Sequence, residues 1–160
     1  MKYLFLVFLV VPILSFSQSR AMKEISDKHD GFTMVFYYST LKMWLSEDEA
    51  ELKKIIYDIE KIKVLRLDED DQIEPDEMTL IKKKLSDQDY EELMVIKGPT
   101  RNLMIYIREG KGIFILGSEG SEIMIIDIIG TIPINKLLTL QDKIETLTQD
   151  GSILDSFRNN

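Results

Sequence analysis

RNLMIYIREGKGIFILGSEGSEIMIIDIIG, the stretch from Arg101 to Gly130, decides the fold. Three apolar, β-branched runs, Asn102 to Glu109, Gly112 to Gly117 and Glu122 to Ile129, are parted by two short glycine-bearing segments. Those segments are Gly110-Lys111-Gly112 and Gly117-Ser118-Glu119-Gly120. Glycine takes positive φ without steric cost, so both read as hairpin turns. Connections this short cannot carry a crossover, and the three strands must pair antiparallel. In the last run Met124, Ile126 and Ile128 alternate onto one face. Ile123, Ile125 and Ile129 flank Asp127 on the other, which is too apolar for a wet face. Either a terminal helix or a partner must cover part of it.

Upstream, Gly98-Pro99 is a firm stop. Before it, Pro75 opens a helix where its missing amide costs nothing, with Met78, Ile81 and Leu85 on its inner face. Ser86 to Asp89 reads as a re-capped break leading into Tyr90-Glu91-Glu92-Leu93-Met94. Ile62 to Leu67 reads as a strand. Ser46 and Glu49 form a capping box for a helix whose stripe is Leu52, Ile55, Ile56 and Ile59. Phe32 to Ser39 is an aromatic and β-branched first strand, and Arg20 to Lys28 a short amphipathic helix. Downstream, a last helix is expected over Asn135 to Thr148, with a fraying tail from Asp150.

The order is strand, helix, strand, helix, three strands, helix. This is an α+β fold, with a mainly antiparallel sheet of about five strands and helices packed on one face. Lys2 followed by the apolar run Leu4 to Phe16, ending at Ser15-Phe16-Ser17-Gln18, reads as a signal peptide cut after Ser17. The run is broken by Pro12 and is shorter than the ~20 residues a membrane anchor needs. Residues 18–160 then form one domain, with an ordered core of about 22–148. The expected location is the periplasm or the exterior.

The chain holds no cysteine, which excludes a disulfide framework and lipid attachment at the cut. Without Lys2 the balance is 19 Lys and Arg against 28 Asp and Glu, a net charge of −9. Nucleic acid and anionic membrane binding need clustered cations. The only cluster, Lys82-Lys83-Lys84, lies in an expected helix beside many carboxylates, so neither partner is expected.

Three segments together resemble a known family: VFYYSTLKM (Val35 to Met43), DYEELMVIK (Asp89 to Lys97) and IIGTIPINKL (Ile128 to Leu137). Their order and spacing, over about Met22 to Leu140, are similar to a family of small exported Bacteroidetes-type proteins catalogued only as a domain of unknown function. The resemblance implies a Gram-negative envelope location and no particular activity. Many members carry a lipid-attachment cysteine; this chain has none, so tethering is not implied.

No constellation points to catalysis, a cofactor or a metal. Asp68, Asp70, Gln72 and Glu74 alternate as calcium ligands do, but Ile73 and Thr79 stand where that loop needs glycine and glutamate. They read as a solvated loop. His29 is the only histidine and reads as an exposed helix-end residue without a partner motif. Ser118 lacks the spacing of a nucleophile elbow. Gly110, Gly112 and Gly117 make no phosphate-binding loop.

Leu41, Met43, Trp44 and Leu45 form the densest apolar cluster outside the strands. The expected interaction surface is Tyr37, Tyr38, Trp44 and Tyr106, with Ile123, Ile125 and Ile129 from the second sheet face. The leading expectation is a non-catalytic envelope protein that binds another protein. The alternative is a carrier or sensor of a small apolar ligand, and an enzyme of unrecognised type comes third.

Overall fold

The Arg101–Gly130 stretch folds as the glycine turns require. The computed structural model describes residues 18–44, 53–54 and 56–133. Helix α1 is Arg20–Lys28, followed by β1 (Gly31–Tyr37), α2 (Tyr38–Trp44) and β2 (Ile59–Leu67). Helix α3 is Pro75–Ser86, and β3 (Glu91–Lys97), β4 (Arg101–Arg108), β5 (Gly112–Glu119) and β6 (Glu122–Gly130) complete the described chain. Gly110 and Gly120 hold φ of 65° and 60° in the two turns of the β4–β5–β6 meander.

All neighbours pair antiparallel in one sheet ordered β1-β2-β6-β5-β4-β3. The fold is α+β, as expected, with two corrections. The sheet has six strands rather than about five, because Glu91–Lys97 continues no helix; it pairs with β4 as an edge strand. The helices are not confined to one face either, since Leu41 of α2 joins the core opposite α1 and α3. The capping box at Ser46 and Glu49, Leu52 and Ile55 of the expected stripe, the signal segment and the helix expected at 135–148 lie outside the described residues.

Side chains alternate across the sheet, which therefore builds two cores. On one face Ile62, Val64, Ile105, Ile113, Ile115, Ile126 and Ile128 cluster with Leu41, Ile56 and Ile132. On the other, Leu65, Met104, Phe114, Leu116, Ile123 and Ile125 lie under Met22 and Ile25 of α1 and Ile81 and Leu85 of α3. The apolar second face predicted from β6 is real, and its cover among the described residues is the chain's own α1 and α3.

Helix α1 is tied down at its start. Ser19 caps it by accepting from the Met22 amide at 3.1 Å. The Ser19 amide donates to Asp127 Oδ2 at 2.8 Å, and the Arg20 amide donates to Gln88 Oε1. Glu24 bridges α1 to α3, with Lys28 and Lys84 each at 2.9 Å. Those two ammonium groups hold its carboxyl down at about 2.

Candidate functional site

Among the described residues, the helices cover the middle of the sheet and leave its outer strands partly bare. Strand β1 carries no charged residue, and its Phe32, Val35 and Tyr37 are exposed. An edge strand without charge or proline, and without cover among the described residues, is an unusual liability. At its end the chain turns directly into α2, and Tyr38 packs edge-on against Tyr57 with ring centroids 6.3 Å apart. Tyr37, Met43 and Tyr57 are 58%, 83% and 72% exposed. Tyr37, Tyr38 and Tyr57 make an aromatic corner at the β1–α2 junction. The opposite edge, β3, also exposes Leu93, Met94 and Ile96, but between Glu91, Glu92 and Lys97.

The seven residues expected to form one surface do not come together. Tyr37 is exposed and Tyr38 half-buried at the corner. Trp44 ends α2, and its side chain lies outside what the structure describes. Tyr106 is buried in β4, where its hydroxyl donates to Glu92 Oε2 at 3.0 Å. Burial, then that carboxylate, pushes its phenol up to about 12. Ile123, Ile125 and Ile129 are buried. Phe32, Val35 and Tyr57 were not legible as surface residues, since an apolar residue in a strand or helix reads as core by default.

His29 requires a correction. It is not an exposed, partnerless helix end: its side chain is only 8% exposed and is clamped between two carboxylates. Nδ1 donates to Asp71 Oδ1 at 2.7 Å, and Nε2 donates to the Glu77 carboxylate at 2.8 Å. Two acceptors on one ring require both nitrogens protonated. Burial works against that charge, but the hydrogen bonds from Asp71 and Glu77 outweigh it and raise the imidazole above its ordinary value. The clamp fastens the end of α1 to α3 and the acidic loop, and both ring nitrogens are committed.

Lys82, Lys83 and Lys84 do not present a basic patch, because Lys84 pairs with Glu24 across the helices. A surface cleft of about 190 Å³ between β3 and the β4–β5 turn is lined by Asp89, Glu91, Ile107, Arg108, Glu109 and Lys111. Its lining is charged except for Ile107, which does not suit an apolar ligand. Among the described residues no group of three or more His, Cys, Asp or Glu is arranged to hold a metal. No described helix is long and apolar enough to cross a membrane.

Comparison with known proteins finds no match among curated proteins or among solved structures. A family model does match, over residues 18–140, and takes in both cores, the aromatic corner and the His29 clamp. This chain belongs to the family described as "Domain of unknown function (DUF4252)".

Proposed function

We propose that the chain is an exported, non-catalytic interaction module that docks a protein partner on the aromatic corner of β1 and α2. The edge of β1, uncharged and uncovered among the described residues, with Phe32, Val35 and Tyr37 exposed and Tyr38 packed edge-on against the exposed Tyr57, carries this reading. A sheet edge can accept an added strand by backbone pairing, and flanking aromatics supply anchoring area. A non-catalytic role is supported by the commitment of the single histidine to two carboxylates. Export with cleavage after Ser17 rests on Lys2, the apolar run Leu4 to Phe16 and the small residues Ser15 and Ser17.

The test is capture by the processed chain from an envelope extract, with mass spectrometry of bound proteins and lipids. A protein held by the native chain and lost by Val35→Lys and Tyr37→Glu supports the reading. A lipid retained equally by both would turn it to the carrier of an apolar ligand.

A further inference from the structure

Asp127 sits at the centre of β6 with none of its surface exposed, opposite Phe114 and Lys63, on the face beneath α1 and α3. Its Oδ2 accepts the Ser19 amide, whereas Oδ1 is buried without a hydrogen-bond partner among the described residues. A half-satisfied carboxylate in an apolar core is costly unless a positive charge reaches it. Burial pushes the Asp127 carboxyl above the usual carboxylate range, opposed by its hydrogen bonds from Ser19 and then by Lys61 and Lys63 acting through space. The Lys63 ammonium donates to Ser26 Oγ at 3.2 Å. Tyr90, the other titratable neighbour, carries no positive charge.

The strand position of Asp127 and its bond to Ser19 bring it to the second residue after the expected cut, one peptide unit from the new N-terminus. Successive backbone nitrogens are roughly 3–3.7 Å apart, which puts the nitrogen of Gln18 within roughly 6.5 Å of Asp127 Oδ2. In the uncut chain that nitrogen is a neutral amide. Cleavage after Ser17 turns it into an α-ammonium.

We propose that Asp127 is a receptor for a primary ammonium group, and that its ligand is the chain's own N-terminus, created at Gln18 when the leader is removed. The peptide bond between Ser17 and Gln18 is hydrolysed, and the released amine takes up a proton at neutral pH. The resulting cation pairs with the Asp127 carboxylate while Ser19 keeps its place as the cap of α1. Cleavage thereby locks α1 onto the sheet, and the precursor is the looser form. The inference rests on the reading that the leader is cut after Ser17, and its test separates the two.

N-terminal mass analysis of the exported chain examines the cut: a start at Gln18 with a free amine is expected. Met1 retained, or a fully cyclised Gln18, would overturn the ammonium receptor. Pairing is examined by inserting Gly-Ser between Ser17 and Gln18, which carries the new amine roughly 7 Å further along the chain. The insertion should lower the Tm of the exported protein by about 5 °C or more, and by less than about 1 °C when Asp127→Asn is also present. No drop, or an equal drop in both backgrounds, refutes the pairing. A readout that needs no substitution at Asp127 is the rate of acylation of the α-amine. It should be at least about tenfold slower in the native chain than in the insertion variant, and equal rates would count against the proposal.

Discussion

His29 shows how far one residue's chemistry depends on partners distant in sequence. Asp71 and Glu77 lie 42 and 48 positions away, so no local pattern could pair them with it. In the fold they hold the imidazole charged, with its pKa raised above the unfolded value. Such a group adds stability that is fully present below the unfolded pKa and is lost as pH rises through the folded one. His29→Gln should therefore lower the unfolding free energy by about 1–3 kcal/mol at pH 6, the usual range for hydrogen bonds to a charged group. The loss should shrink at pH 9. Urea denaturation at the two pH values checks this, and an equal loss at both would mean that the clamp is not protonated.

At the scale of elements, the expected helix boundaries at Arg20, Lys28 and Pro75 agree with the structure, while β3 was missed. Glu91-Glu92-Leu93-Met94 favours a helix locally, but α3 cannot run into it. Asp89 adopts φ of 62°, the Asp89 amide donates to Ser86 O at 3.0 Å, and the Tyr90 amide donates to Leu85 O at 3.0 Å. This is a Schellman closure with aspartate where glycine is usual, and it releases the chain as a strand against β4. The preference of an edge segment is decided by the strand it meets, not by its own composition. Asp89→Val forces a β-branched side chain into the left-handed region and should cost about 1–2 kcal/mol, whereas Asp89→Gly should cost nothing. Thermal melting of the two variants distinguishes them. A valine variant as stable as native would show that the turn is not fixed at this residue.

At the scale of the molecule, the sheet among the described residues is covered on its middle strands and exposes side chains at β1 and β3, so fold and binding should be separable by mutation. Phe114 is fully buried beneath α1 and α3, and Phe114→Ala should cost about 3–5 kcal/mol. Tyr37→Ala, on the exposed edge, should change stability by less than ~0.5 kcal/mol while weakening partner capture. Equal destabilisation by the two would mean that the aromatic corner belongs to the core. The sequence by itself determined the β4–β5–β6 meander, α1, α3 and the two-sided burial of β6. Each follows from side-chain period and from what glycine and proline allow, and these act over a few residues. Only the tertiary structure decided that β2 lies between β1 and β6, which strands become edges, and that α1 and α3 cover Ile123 and Ile125. It also decided that Asp127 meets Ser19, 108 residues away. Those outcomes depend on which distant apolar faces exclude water together, and a pattern confined to neighbouring residues carries no record of that.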